Sequence, residues 1–477
     1  MTLEQAMNQA LAEHLAGNLD QAETIYRRII LAAPQWPGAH VNLAEALRAG
    51  GRLSEAESSL RNALALDSTD AVAWSNLGLV LRGLNRVSEA EAACRRAVSL
   101  NPDSAPAHQN LGNVLGDKGD VDDAVEECRR AVELSPQNAD ALADLAAAHV
   151  ERADSVAALN CYQHALRLRP DDATIHLNYA QLLLQSGDFE RGWAEYEWRW
   201  RSSAFTTPRR EFSAPRWDGL PAPDRTILVH AEQGFGDMIM FARYFSLVAK
   251  RARRVILECY EALAPLLKTV EGVSEIVISG QPLPAFDLHA PLLSLPRLLR
   301  ESPPAPPYVS VDHVRAPSWQ ERLHDVSRPR IGVAWCGSRT QIADKRSIPV
   351  DQFCRILATT RGSFISLQKD LIPEESDALS RARVHDFAQH LHDFADTAAL
   401  IGELDLVVSI DSSVAHLAGA MGKPVWVMLA YSPDWRWMLG REDSMWYPTA
   451  RLLRQSRPRD WSGLSDRVAR ALADLVF

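Results

Sequence analysis

Pro34, Pro102, Pro136 and Pro170 fall on one grid of 34 residues, with Ser68 at the beat that no proline fills. The same interval links Leu43, Leu77, Leu111 and Leu145, and it links Ala22, Ala56, Ala90, Ala124 and Ala158, with Gly192 closing that series. Ala63, Ala97, Ala131 and Ala165 form a further column, and Trp74, His108, Leu142 and His176 another. Fixed small and large positions at such an interval mean copies of one supersecondary unit. A single copy cannot bury its apolar face alone, so the copies must stack.

The interval and the residue pattern are the signature of the tetratricopeptide repeat. In that repeat small residues let two antiparallel helices approach, and the proline closes each unit. Five copies span residues 3–170, and a sixth helical pair follows over 171–204. It ends in "FERGWAEYEWRWR", rich in Trp and Arg, which is expected to cap the stack against the next domain. The first domain is therefore expected over 1–204. Such a solenoid makes no bonds itself, and offers a groove for a peptide or protein partner. It serves equally as a dimer contact or a spacer, so a homo-oligomer stays open. Cys94 and Cys128, one repeat apart, occupy a packing position and read as core rather than as ligands.

At 477 residues the chain is too long for one core, and about three domains is the prior. Its formal charge of -10 argues against a general nucleic-acid or membrane-surface binder, which would carry a basic excess. The opening "MTLEQAMNQALAEH" runs straight into an amphipathic helix without a leader pattern, and no apolar run is long enough to span a bilayer. Six cysteines without a C-x-x-C pair fit reduced thiols, and the expectation is a cytoplasmic protein with no zinc site.

After residue 204 the pattern changes. Residues 205–222 carry turn formers without a helical period and read as a linker. Short apolar runs then alternate with helices, which signals parallel sheet. The first half, 223–310, offers "TILVH", "RVILEC", "EIVIS" and "YVSV". The second, 311–477, offers "RIGVAWC", "SFISLQ", "LDLVVSI" and "PVWVML", with a closing helix over 464–477. Two Rossmann-like halves place a site in the cleft at the carboxyl ends of their strands.

Three handovers from strand to helix carry the candidate chemistry. In "TILVHAEQGFGDMIMFARY" the glycines Gly234 and Gly236 are expected to turn the backbone tightly and bring Asp237 to a helix start. There it caps amides and feels the positive end of the dipole, which favours its ionised form. A cap and a general base are both open on the residues alone. In "VVSIDSSVAHLAGAMGKP" an apolar strand ends at Asp411, followed by Ser412, Ser413 and a helix that holds His416. Amides at such a helix start bind phosphate, with Asp411 shaping the turn and His416 one turn inside. The alternative is a capped helix with a core histidine. In "IGVAWCGSRTQIADKRSIP" a loop brings Arg339, Lys345 and Arg346 to the same rim, where Gln368 and Lys369 can join them. Cations there would neutralise a leaving diphosphate.

Other signals are missing. No Asp-x-Asp stands at a strand exit, and His385, His390 and His392 lack the spacing of a zinc site. Neither a G-x-S-x-G elbow nor a P-loop is present. Trp335, Trp435 and Trp437 can line the cleft or pack its walls, and packing is the ordinary role.

The strings "AEQGFGDMIMFARY", "DFADTAALIGELDLVVSIDSSVAHLAGAMGKPVWVML" and "PDWRWMLGREDSMWYP" closely resemble the bacterial tetratricopeptide-repeat glycosyltransferases. The catalytic half of those proteins is similar to the heptosyltransferases of glycosyltransferase family 9. The match covers about 225–460, and its most specific part is D-S-S-x-x-H-L-A-G-A-x-G-K-P. The resemblance implies a helical repeat solenoid followed by an α/β pair of Rossmann-like domains of the GT-B type. It implies a metal-independent, inverting glycosyltransferase with no resident cofactor, whose nucleotide-sugar donor sits in the C-terminal half. By position Asp237 takes the role of general base. Glu232, Gln233, Gly234 and Gly236 fall on the acceptor side. Arg339, Lys345, Arg346, Gln368, Lys369, Asp411, Ser412, Ser413 and His416 fall on the donor side. Heptosyltransferases lack the repeat array and act on lipid A core sugars, so their acceptor does not carry over. The layout is instead similar to the O-GlcNAc transferases and the repeat-fused flagellin glycosyltransferases, where the array recruits protein acceptors. The expected function is transfer of a sugar to a Ser or Thr of a docked protein. The alternatives are a non-catalytic scaffold with a degenerate sugar-nucleotide domain, and a transferase acting on a glycan or lipid precursor.

Overall fold

The computed structural model describes residues 2–203, 205–207, 209–337, 345–357 and 362–475. Its contacts divide the chain into two compact units, Met1–Ile175 and His176–Phe477.

In the first unit the grid becomes consecutive helix pairs. Leu3–Leu15 is followed by Leu19–Ala32, Pro37–Ala49 by Leu53–Leu66, and Ala71–Gly83 by Val87–Leu100. Ala105–Lys118 is followed by Val121–Leu134, and Ala139–Glu151 by Ser155–Leu168. The alanine column at 22, 56, 90, 124 and 158 is buried throughout, because a larger side chain would hold the paired helices apart. A second column starts the first helix of successive repeats. Asp70 accepts from the Val72 and Ala73 amides, Ser104 from Ala107, and Asn138 from Asp140 and Ala141. Each such cap satisfies amides that the helix leaves unpaired and contributes about 1 kcal/mol. Cys94 and Cys128 are buried, and burial pushes both thiols up to about 12. Their sulfurs fill the space over Gly78 and Gly112, so they are packing residues, as their grid position implies.

The second unit contains two parallel sheets. β1 (Ala222–His230), β2 (Ala252–Cys259), β3 (Glu275–Ile278) and β4 (Leu288–Pro291) form the first, in the order β3-β2-β1-β4. β5 (Arg330–Ala334), β6 (Ser363–Ser366), β7 (His385–Asp386), β8 (Leu406–Ile410), β9 (Val425–Leu429) and β10 (Ala450–Arg454) form the second. Its order is β10-β9-β8-β5-β6-β7. Counted from β5, this is the 3-2-1-4-5-6 order of a doubly wound sheet read from the other edge. Its strands read as continuous apolar runs because helices cover both faces, and β5, β8 and β9 are buried along their whole length.

Several boundaries differ from the sequence reading. The helix pair after residue 171 lies mostly in the second unit, not at the end of the first. Trp193 packs edge-on against Phe241 and Trp435, and the Gln185 amide donates to the Pro433 carbonyl. The segment expected as a linker pairs with β4: Trp217 N–H donates to His289 O at 2.8 Å, and His289 N–H to Pro215 O at 3.2 Å. "YVSV" is not a strand. Tyr308 N–H bonds the Ala420 carbonyl, and its ring covers the Arg243 guanidinium. The closing helix begins at Trp461, capped by Asp460, which accepts from the Gly463 amide at 2.9 Å.

Candidate functional site at the strand ends

In a doubly wound sheet the strand order reverses at one point, and the strand ends there open a crevice. Here the reversal falls between β5 and β8. β5 delivers Trp335–Gly337 to that crevice, and β8 delivers Asp411 and the helix Ser413–Ala420. The sequence motifs therefore converge for a topological reason.

Ser412 caps this helix. Its hydroxyl accepts from the Ala415 amide at 3.4 Å and lies 2.8 Å from the Ser409 hydroxyl. Ser413 is the first helical residue and is partly exposed. Asp411 is buried before the cap, and burial raises its carboxyl to about 6, with Asp434 adding to the rise. Arg346, the Trp437 indole N–H and Arg436 pull the other way. That indole N–H is buried and short of a hydrogen bond of ordinary length. A carboxyl near 6 is still mostly ionised at neutral pH, so Asp411 shapes the turn and does not itself hold a phosphate.

His416 does not line an open cleft. It is buried, with Nδ1 at 2.9 Å from the Tyr447 hydroxyl, its ring stacked on Trp437 and its Nε2 at 3.8 Å from Asp411 Oδ1. Burial and then the charges of Arg436, Arg243 and Arg346 hold the imidazole well below its usual range, so it stays neutral. Its donor-side role is corrected to packing and to shaping the ground under Asp411.

The basic rim is divided. Arg339 lies outside the described residues. Lys345 is exposed and Arg346 half-buried, on the return leg where Ile348 N–H bonds the Trp335 carbonyl and the Ser347 hydroxyl accepts from Gly337 N–H. Gln368 accepts from the Cys336 amide at 3.4 Å and so ties the ends of β5 and β6 together. Lys369 donates to the His392 carbonyl at 3.3 Å. Trp335, Trp435 and Trp437 are all buried and form walls rather than exposed platforms.

On the opposite half the turn after β1 is built differently from the expectation. Gly234 has φ -94, and the residue in the left-handed region is Gln233, with φ 59. Three contacts hold Gln233 there. Its N–H donates to Thr207 Oγ1 at 3.1 Å, its side-chain amide donates to the Tyr196 hydroxyl at 2.8 Å, and its carbonyl accepts from the Tyr260 hydroxyl at 2.5 Å. A non-glycine residue costs about 1–3 kcal/mol in such a conformation and persists only where its surroundings over-determine it. Gly236 is needed for a different reason: it leaves room for the His416 ring. Glu232 is not on an acceptor surface. It is fully buried and paired with the equally buried Arg199, Nε to Oε2 at 2.9 Å and Nη2 to Oε1 at 3.1 Å. The Leu293 amide adds a third bond at 2.6 Å. Glu232 therefore fastens β1 to β4 and to the turn Tyr196–Arg201.

Asp237 stands between the halves, its side chain 12% exposed. Oδ2 accepts from the Gly234 amide at 3.2 Å, and Oδ1 is paired with Nη2 of Arg436. Arg436 also bonds Asp434 Oδ1 through Nη1 at 2.7 Å and lies 4.3 Å from the centre of the Trp435 ring. Burial works against its charge, and Asp237 and Asp434 more than reverse that, which keeps the guanidinium ionised. Sequence reasoning missed Arg436, although it stands in "PDWRWMLG". Its signal was an arginine between two tryptophans and two residues after an aspartate. A groove of about 430 Å³ lined by Arg216, Trp217, Pro221 and Leu288 lies at the amino end of β1, away from this chemistry.

Family models agree with the repeat grid. The tetratricopeptide domain of cytochrome c-type biogenesis protein H matches residues 52–164, and tetratricopeptide-repeat models match 144–197, 5–28 and 37–62. The first part of the chain is a tetratricopeptide-repeat array. Protein FlbA of Caulobacter vibrioides is 28% identical over 326 residues, covering 62% of this chain and 54% of FlbA. The chain thus spans about half the length of that relative. Among solved structures, a thermophilic tetratricopeptide-repeat protein of Thermus thermophilus is 23% identical, covering 38% of this chain and 100% of its own, with a TM-score of 0.36. The pilF protein of Pseudomonas aeruginosa is 22% identical, covering 42% and 89%, also with a TM-score of 0.36. No helix among the described residues is long and apolar enough to cross a membrane. No group of three or more His, Cys, Asp or Glu among them is placed to hold a metal ion.

Proposed function

We propose that the second unit is an inverting, metal-independent glycosyltransferase of the GT-B type, and that the array presents a protein acceptor to it. The observation that carries this reading is a juxtaposition. The capped helix start at Ser412 and Ser413 stands at the switch point of a doubly wound sheet, and Asp237 faces that half from the other one through Arg436. The helix start and Arg346 offer amides and charge to a diphosphate. Asp237 takes the proton of the acceptor hydroxyl as its oxygen bonds the anomeric carbon. The bond from that carbon to the phosphate oxygen breaks, and the nucleoside phosphate leaves with the electron pair. Attack from the face opposite the leaving group inverts the centre.

The first test is calorimetric binding of UDP, GDP, ADP and CMP to the full chain, beside a Ser412→Ala, Ser413→Ala double variant. One nucleotide should bind, about tenfold more weakly in the variant, as expected for the loss of hydroxyl contacts to a charged group. If none binds, the transferase reading fails. The rival reading, a scaffold that no longer turns over, is favoured by the engagement of both Asp237 oxygens, and in that case wild type binds nucleotide without consuming any sugar donor.

A polar column supports the docking part. Asn8, Asn42, Asn76 and Asn110 share one repeat position, which Asp144 then takes. Asn110 bonds Ser75, and Gln109 and Asn113 bond Asp144, so adjacent first helices carry amides along one line. Amides of this kind can pair with a peptide backbone whatever its side chains. Removing residues 1–175 should abolish transfer to a folded protein acceptor and leave nucleotide binding intact.

A further inference from the structure

We propose that Arg436 is a diphosphate ligand that must leave Asp237 before Asp237 can act, so that donor binding itself frees the base. This rests on the transferase reading above. As the structure stands, the two oxygens of Asp237 hold the Gly234 amide and the Arg436 guanidinium. A carboxylate so engaged is poorly placed to accept a hydroxyl proton, because proton uptake would break a charge-assisted pair in a buried setting.

Arg436 has somewhere else to go. The next residue, Trp437, stacks on His416 at 5.2 Å, and His416 Nε2 lies 3.8 Å from Asp411 Oδ1, so Arg436 borders the residues that flank the helix start where the diphosphate would sit. Its guanidinium lies over the Trp435 ring, a surface on which it can slide while staying paired. Asp434, two residues away, holds the other amino group and keeps the arginine charged in either position.

The backbone beneath is pinned by side-chain bonds, which confines movement to the side chain. Met438 has φ 54 and ψ -177, a region that residues other than glycine rarely enter. Arg454 clamps that turn by donating to the carbonyls of Trp437 at 2.6 Å and Met438 at 3.0 Å. Two negative phosphates at the helix start would compete with one carboxylate for a guanidinium that presents paired donors. The donor thus binds before the acceptor can be deprotonated, and Arg436 then stays on the leaving group.

Competition makes a prediction that a merely structural ion pair does not. If Asp237 and the diphosphate share Arg436, Asp237→Asn releases the arginine and tightens nucleoside diphosphate binding. Arg436→Gln should weaken it, and the two changes together should behave like Arg436→Gln alone. The experiment is calorimetry on the full chain with whichever of UDP, GDP and ADP the wild type binds. Asp237→Asn should tighten binding several-fold. Arg436→Gln should weaken it about tenfold or more, the loss of a hydrogen bond to a charged group, with Arg436→Lys in between. Unchanged or weaker binding in Asp237→Asn overturns the proposal while leaving the transferase reading in place. If Arg436→Gln fails to fold, Asp237→Asn alone decides by the direction of its change. A wild type that binds none of the three overturns this proposal, and one that binds none of UDP, GDP, ADP and CMP overturns the transferase reading as well.

Discussion

A Cβ on Gly236 would lie 2.8 Å from His416 Cδ2, so the turn after β1 and the helix after β8 meet with no side chain between them. This contact joins the two α/β halves beside Asp237. Gly236→Ala must push the imidazole away from Trp437 and Tyr447 or spread the halves. A cost of about 1–3 kcal/mol is expected for such overpacking. His416→Ala removes the obstructing ring, so the double variant should be less destabilised than the two single costs added. Urea unfolding of the three variants measures this, and strict additivity would show that the two residues do not meet.

Asp411 gives a pH dependence of known sign. Its folded carboxyl lies at about 6, against 3.8 for an ordinary aspartate. Below the lower value both states are protonated and the site is neutral in its effect. As pH rises from there to about 6, the unfolded chain ionises first and the folded state loses up to ~3 kcal/mol. Asp411→Asn carries no such cost. It should match wild type near pH 3, within the cost of the substitution itself, and gain on it by about pH 7. Unfolding free energies of both proteins at the two pH values test this, and a difference that stays constant between them would refute the raised carboxyl.

Glu232 offers a third test, because its burial replaces an acceptor role with a structural one. Glu232→Gln leaves Arg199 charged and fully buried, with Glu197 at 3.1 Å as its carboxylate and neutral acceptors at the Tyr196 carbonyl and the Ser294 hydroxyl. Breaking one partner of a buried pair typically costs about 3–5 kcal/mol. The loss should appear as a lower unfolding midpoint. A variant of unchanged stability with a higher KM for acceptor would instead return Glu232 to the acceptor side.

What the sequence disclosed and what it hid follow from the range of the interactions. The repeats were legible because their signal is local and recurs, as in the alanine column and the caps at 70, 104 and 138. The runs that became β1, β2, β5, β8 and β9 were legible because a strand covered on both faces is apolar throughout. β4, "LHAP", and β10, "ARLLR", are short and mixed, and only their neighbours make them strands. "YVSV" had a better strand pattern than either, but its first residue is used elsewhere. The glycine turn was misread because Gln233, not a glycine, takes the left-handed conformation, held by three contacts that no local pattern announces. Arg436 was hidden more deeply: its partner Asp237 lies 199 positions away.

The same logic sets where the chain can be cut. The repeat grid runs on to Gly192, yet Trp193 and Tyr196 are core residues of the second unit, and Arg199 neutralises Glu232 there. A protein starting at residue 176 keeps these contacts, whereas one starting at 202 loses the two aromatics and leaves Glu232 buried without its cation. Each aromatic removed from a core costs about 3–5 kcal/mol, and the orphaned carboxylate costs a similar amount. Together these match the entire stability of a typical domain, about 5–15 kcal/mol. The longer fragment should therefore unfold cooperatively and bind the same nucleotide as the full chain. The shorter one should be insoluble or show no cooperative transition by circular dichroism. A shorter fragment that folds and binds as well would show that the helices before residue 202 belong energetically to the repeat array.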